Sequence, residues 1–261
     1  MRPGWLVQLG KMDYLAAWHL QRRLAAARAR DRVPDALLLV EHPHTYTIGR
    51  SGSREHLLMA EAERAKWGVS VYEVDRGGDI TYHGPGQVVG YPILHLGRPG
   101  PDGRLPPADY VGYLRRIEQV LIQTLAEWGI TAQRSEGYTG VWVRATELVK
   151  VAAIGVKIDA RGISQHGFAL NVDPDLSFFG GIVPCGIHDR SVTSMARLLG
   201  KSPPVDSVAA SVAERFGQVF GLRWRGIHLA ELEQRLPASV ENVGTLKPQP
   251  VPTDPGVESV V

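Results

Sequence analysis

Between Thr139 and Val172 the chain carries three β-rich segments in succession, TGVWVRA, VKVAAIGVKID and GISQHGFALNV. Asp159-Ala160-Arg161-Gly162, between the last two, has the composition of a hairpin turn. Parallel neighbours need a crossover of a dozen or more residues, usually a helix, and no room for one exists here. Strands therefore come in blocks, which points to an α+β chain with helices packed on a mixed or antiparallel sheet, and away from a doubly wound parallel one.

The rest of the pattern agrees. WLVQLG reads as a strand leading into a helix from about Asp13 to Ala29, with Ala16, Leu20, Leu24 and Ala27 on one face. ALLLV (36 to 40) reads as a buried strand, a short helical stretch follows a loop, and VSVYEV (69 to 74) and QVVGYPILHL (87 to 96) read as further strands. After a Pro/Gly-rich loop (97 to 107) comes the clearest helix, with Tyr110, Leu114, Ile117, Leu121, Leu125 and Trp128 in register and Gly129 as its stop. Helices are also expected at about 191 to 199 and 206 to 220, the second with Asp206 as N-cap and Val208, Val212, Phe216 and Val219 on its apolar face. From Glu241 onwards the sequence is proline-rich and without periodicity, so the division expected is a catalytic domain over 1–240 and a disordered tail over 241–261.

With 261 residues, 44% apolar and 21% charged, the composition is that of a soluble protein, and no apolar run approaches the ~18 residues of a membrane span. The N-terminus lacks a signal-peptide pattern, so a cytoplasmic location is expected, with no membrane partner. A net charge of +2 and a pI near 8.7 are too mild to imply nucleic acid. Basic residues do cluster locally, at Arg22, Arg23, Arg28, Arg30 and Arg32 and again at Arg50, Arg54, Arg115 and Arg116; such clusters are solvated faces or docking points for an acidic partner.

Two stretches stand out chemically. RGGDITYHGPGQVVGYP (76 to 92) is dense enough in glycine to let backbone approach a ligand, yet it contains neither phosphate-loop nor dinucleotide glycine motif. GGIVPCGIH (180 to 188) holds the one cysteine of the chain, Cys185, which can form no internal disulfide and lacks the spacing of a zinc site. That thiol is either a small buried hydrophobe or a nucleophile. His83, His166, His188, Lys150 and Lys157 are the candidate partners, and Lys150 is conspicuous for its apolar surroundings, LVKVAAIG.

HPHTYTIGR (42 to 50), RGGDITYHGPGQVVGYPI (76 to 93), GVWV (140 to 143), KVAAIGVKI (150 to 158), HGFALNV (166 to 172) and PCGI with SVTS (184 to 194) resemble, in order, the successive blocks of the octanoyltransferase family of lipoate biosynthesis. The resemblance spans roughly Leu6 to Phe220. It implies the fold shared with lipoate and biotin protein ligases, a single domain around an acyl-binding tunnel. It also implies transfer of octanoyl from octanoyl-acyl carrier protein to a lysine of lipoyl domains, those of 2-oxo acid dehydrogenase complexes and the glycine cleavage H protein, through a cysteine thioester. No metal or cofactor is implied. Carried over, Cys185 is the acyl nucleophile and Lys150 tunes it. Arg76, Gly77, Gly78, Asp79, Ile80, Thr81, Tyr82 and His83 line the substrate pocket with Ala153, Ile154, Gly155, Gly167, Phe168 and Ala169. The segment between Gly155 and Gly167 is a residue longer than in some relatives, the 97–107 loop is proline-rich, and the tail after about 240 matches none of the family's blocks.

This chemistry suits the residues. Transfer between thioesters is nearly neutral and transfer to an amine is downhill, so no ATP is needed, in keeping with the missing phosphate loop. A free thiol with a pKa of ~8.5 needs a nearby cation to react at neutral pH. An acceptor lysine, with a pKa of ~10.4, needs a base. Lys150 can do both, and N–H groups of 76–86 or 184–186 are candidates for the oxyanion site. An ATP-dependent lipoate or biotin ligase and a non-catalytic acyl-binding protein are the alternatives.

Overall fold

The structure, a computed structural model, describes residues 1–97, 107–183 and 191–237. The 98–106 part of the Pro/Gly-rich loop, Cys185, His188, the 184–186 N–H groups and the 241–261 tail all lie outside those residues.

The chain order is β1 (Arg2–Lys11), α1 (Tyr14–Arg28), β2 (Asp35–Glu41), β3 (Thr45–Ile48), α2 (Glu61–Trp67), β4 (Ser70–Glu73), β5 (Ile80–His83), β6 (Gln87–Ile93), α3 (Pro107–Glu127), β7 (Ala132–Ser135), β8 (Tyr138–Arg144), β9 (Leu148–Ile158), β10 (Ser164–Asn171), α4 (Met195–Leu199), α5 (Val205–Phe220), β11 (Leu222–Gly226) and α6 (Leu229–Arg235). Eight strands form one mixed sheet in the order β11-β1-β2-β6-β10-β9-β8-β7. β1 runs parallel to both its neighbours, and every pairing from β2 to β7 is antiparallel. A second sheet, β4-β3-β5, stands beside it.

ALLLV is apolar throughout because both faces of the large sheet are covered. Along β2, Leu37 and Leu39 join the core beneath α3 and α5, while Leu38 and Val40 join the core beneath α1 and α6. Successive side chains of a strand point to opposite faces, so a strand in the middle layer needs no polar side. Ile117, Leu121 and Leu125 of α3 and Val208, Val212 and Phe216 of α5 fill the first core. Gly129 follows α3 at φ +75°, where a helix ends most easily on glycine.

Three expectations change. The buried side of α1 includes Tyr14, Ala17, Trp18, Gln21, Leu24 and Ala25, whereas Ala16 is exposed, because the helix packs on β6 and β10 and also reaches Tyr72 and Val74 beside the small sheet. Asp13 caps α1, its carboxylate accepting from Leu15 N and Ala16 N at 2.9 and 3.2 Å. Asp206 is not the N-cap of α5; Pro204 is, and Asp206 lies in the first turn, where its charge complements the helix dipole. The expected 191–199 helix begins only at Met195, since 191–193 runs extended beside β9 and Ser194 caps the helix. Sequence periodicity does not reveal β3, β5, β7, β11 or α6, which are only four to seven residues long. No described helix is long and apolar enough to cross a membrane.

Candidate active site

A cavity of about 330 Å3 opens where the β9–β10 hairpin meets the glycine-rich segment before β6. The hairpin register sets Gly155 opposite Gly167 and Ala153 opposite Ala169, so four small residues make a trough. Neither glycine can be larger: a Cβ on Gly155 would stand 2.9 Å from Gly77 O, and one on Gly167 would stand 2.0 Å from Gly90 O. The loop Arg76-Gly77-Gly78 lies directly on β9, with Gly77 N donating to Val156 O at 2.9 Å. On its other side Arg50 N donates to Arg76 O and Gly49 N to Asp79 O. All the substrate-pocket residues expected from the sequence, from Arg76 to His83 and on both hairpin strands, line this cavity, as does Lys150.

Buried polar groups hold the loop. The Arg76 guanidinium donates to Thr47 O at 2.6 Å, to Thr47 Oγ1 at 2.9 Å and to Gly77 O at 3.0 Å, so it clamps backbone. Asp75 accepts from Lys157 Nζ at 2.5 Å and from His166 Nε2 at 2.8 Å. Burial raises the Asp75 carboxyl, but the His166 and Lys157 contacts outweigh it and hold the group well below the usual carboxylate range. Burial lowers the pKa of His166 against the raising effect of the Asp75 contact, to which its Nε2–H donates. His166 has φ +56°, and this left-handed backbone interrupts the strand geometry beside Gly167. Its N–H leaves the sheet and donates to Gln21 Oε1 of α1 at 2.8 Å. Lys157, a candidate partner of the thiol by sequence, thus belongs to the framework of the site through Asp75.

At the base, Tyr14 stacks on His83 with ring centroids 5.7 Å apart, and burial drives His83 well below its ordinary pKa. His42 donates Nδ1–H to Met12 O at 2.7 Å and accepts from the Tyr91 hydroxyl at 2.7 Å. Burial takes His42 down to about 4. Gln87 and Asn171 form the wall towards the 191–193 segment: Gln87 Nε2 donates to Asn171 Oδ1 and Asn171 Nδ2 to Thr193 O, each at 2.9 Å. No sequence periodicity singles out Tyr14, Gln87, Tyr91, Trp142 or Asn171, which also line the cavity. Gln87 and Asn171 carried a usable signal, as polar residues inside otherwise apolar strands.

Lys150 sits on β9 opposite Trp142 of β8, and its Nζ lies over the indole, 4.7 Å from the ring centroid. Its backbone grips the segment that follows the cysteine loop, with Lys150 N donating to Ser191 O at 3.1 Å and Thr193 N donating to Lys150 O at 2.9 Å. Before that loop, Val183 N donates to His56 O at 2.8 Å. The expected docking arginines are partly engaged within the chain: Arg23 with Glu233, Arg28 with Asp31 and Asp35, Arg54 with Glu73, and Arg115 with Glu118. Arg30, Arg32, Arg50 and Arg116 are exposed.

A half-buried lysine on a mostly apolar trough, with backbone-clamped loops around it, suits an acyl chain. The profile of the lipoyl protein ligase A/B catalytic domain matches residues 13–217. An octanoyltransferase of Chloroflexus aggregans is 50% identical over 224 residues, covering 85% of this chain and 97% of that protein. One of Caldicellulosiruptor saccharolyticus is 44% identical over 236 residues, covering 90% and 96%. Among solved structures, the bipartite lipoate protein ligase of Thermoplasma acidophilum superposes with a TM-score of 0.69 at 15% identity, over 90% of each chain. Lipoate-protein ligase A bound with ATP gives 0.67 at 15% identity, over 89% of this chain and 91% of that one. At such identities the structural likeness is one of fold, whereas the sequence matches are close and nearly full-length: the chain belongs to the octanoyltransferases of the lipoyl protein ligase A/B catalytic domain family.

Proposed function

We propose that the chain moves octanoyl from octanoyl-acyl carrier protein to a lysine of lipoyl domains, in 2-oxo acid dehydrogenase complexes and the glycine cleavage H protein, through a thioester on Cys185. It works without ATP, in the cytoplasm. The observation that carries this reading is the position of Lys150, which lines the apolar cavity while its backbone holds Ser191 and Thr193, the residues just beyond the cysteine loop. A volume of about 330 Å3 is at the small end of the roughly 300–1,000 Å3 of small-ligand pockets, in keeping with a short chain.

In the first half-reaction the Cys185 thiolate, favoured by the Lys150 cation, adds to the thioester carbonyl. The carrier's thiolate then leaves and takes its proton from the Lys150 ammonium, which leaves that amine neutral for the second half. In the second half the acceptor amine adds to the Cys185 thioester, Lys150 in its neutral form accepts the amine's proton, and the Cys185 thiolate departs opposite the restored cation. Arg76 and Asp75 have no step in this sequence; they hold the loop that covers the trough.

The test is an intact-mass measurement after mixing with octanoyl-acyl carrier protein and no ATP. An octanoyl adduct that disappears in Cys185→Ala, together with transfer to a lipoyl domain by the unaltered enzyme, is expected. A strict requirement for ATP would mark a ligase, binding without turnover would mark an acyl-binding protein, and an adduct persisting in Cys185→Ala would remove the cysteine from the mechanism.

A further inference from the structure

Trp142 is buried at 1% exposure, and its face lies beneath the Lys150 ammonium. That meeting is built by the sheet. Val141 pairs with Ala152 but Trp142 pairs with Lys150, so the register slips by one residue and β9 bulges at Val151. A bulge of this kind re-aims the side chains beside it, and here it brings residues 142 and 150 directly across from each other. Gly140 clears the way. It has φ +123°, a Cβ on it would stand 2.7 Å from Ala152 O, and the Lys150 Cε and Cδ atoms pass 3.5 and 3.7 Å from that point. The Gly140 peptide is in turn held by Glu118 Oε1, which accepts from Gly140 N at 3.4 Å, while Arg115 and Arg134 engage the other carboxylate oxygen of Glu118.

We infer that Trp142 is a positioning residue for acyl transfer: its indole face holds Lys150 at the cavity and favours the protonated amine there. The inference rests on the role given to Lys150 above. A cation over an aromatic face is attracted to the ring quadrupole, most strongly when the pair is withdrawn from water, and Trp is the best of the aromatic faces. Lys150 is half-buried, so the pair is partly withdrawn from water, where the attraction is stronger. The first half-reaction gains directly, because the cation faces the thiolate there.

Among the described residues, the elements around Lys150 also carry Lys157 on β9, His166 on β10, Tyr138 and Arg144 on β8, Tyr110 and Glu118 on α3, the latter with Arg115 and Arg134, and Glu147 in the β8–β9 turn, which accepts from Ser191 Oγ. Cys185, His188, Asp189 and Arg190 belong to the 184–190 segment outside the described residues.

The experiment reads the Lys150 amine directly. Trace acetic anhydride is applied to the intact protein across a pH series, and peptides are quantified by mass spectrometry. In Trp142→Leu the midpoint for Lys150 should fall by about one pH unit, a tenfold easier loss of the proton, with Lys157 and Lys201 unchanged in the same digests. Because that variant removes a large core side chain, a second measurement keeps the packing intact: biosynthetic replacement of tryptophan by fluorinated indoles of rising fluorine count should lower the midpoint stepwise. Lys66, at 5.6 Å over the exposed Trp67, should respond less. An unchanged Lys150 midpoint through the fluorinated series overturns the inference, whatever the thioester experiment returns. If Lys150 responds but no acyl-Cys185 forms, the proposed reaction fails and the pairing stands.

Discussion

His42 links the stability of this fold to pH. Its ring is 1% exposed and sits between Met12 O and the Tyr91 hydroxyl, and burial holds its pKa at about 4 against an ordinary 6.5. The unfolded chain therefore takes up a proton through a range of pH in which the folded chain does not. Folding stability from this residue is full above about 6.5 and is lost as the pH falls towards about 4. A gap of about 2.5 pH units at about 1.4 kcal/mol each gives a contribution of about 3 to 4 kcal/mol, with no discount for solvent at so buried a site. His83 and His166 are also lowered and add slope of the same sign, so the contribution of His42 must be isolated by difference. Glutamine at this position can still donate to Met12 O and accept from Tyr91 but does not titrate. Urea unfolding of wild type and His42→Gln at several values between pH 7 and pH 4 should give curves that diverge, the wild type losing about 3 kcal/mol more over the range. Parallel curves would refute the reasoning, because they would mean that His42 binds its proton equally in both states.

Lys150→Met should move the pH profile of Cys185 alkylation up towards ~8.5, whereas Lys150→Arg should form acyl-enzyme and then stall; identical profiles in wild type and Lys150→Met would remove Lys150 as the tuning cation. Gly167→Ala would set a Cβ 2.0 Å from Gly90 O and 2.7 Å from Pro92 Cδ, so β6 and β10 must part, at about 1–3 kcal/mol in urea unfolding; unaltered stability would contradict that close approach. For acidic partners kcat/KM should fall as added salt shortens the Debye length from ~10 to ~3 Å, and exposed Arg30, Arg32 and Arg50, rather than ion-paired Arg23, Arg28 and Arg54, should carry the effect, which a flat salt response would rule out. Deleting 241–261 should leave melting temperature and transfer rate unchanged, and a large drop in either would show that the segment packs.

The order of the six blocks in the sequence is enough to indicate the family, and the apolar periods of α1, α3 and α5 and the run of strands from β8 to β10 are equally plain, because each is a local pattern of burial and turn chemistry. ALLLV announces a strand covered on both faces without saying by what. The site is different. Gly155 beside Gly167 depends on hairpin register, and His166 reaches Gln21 across 145 positions of sequence. Asp75, Lys157 and His166 come from the loop after β4, from β9 and from β10 respectively, and no period in any of these segments brings them together. Lys150 meets Trp142 only because β9 bulges by one residue at Val151. A side-chain period reports which face of a strand is buried, and a one-residue slip reverses that face, so the sequence alone determined the elements and the chemical cast. Only the tertiary packing decided which polar groups face one another in the cavity, since pairing across many residues is settled by the whole core at once.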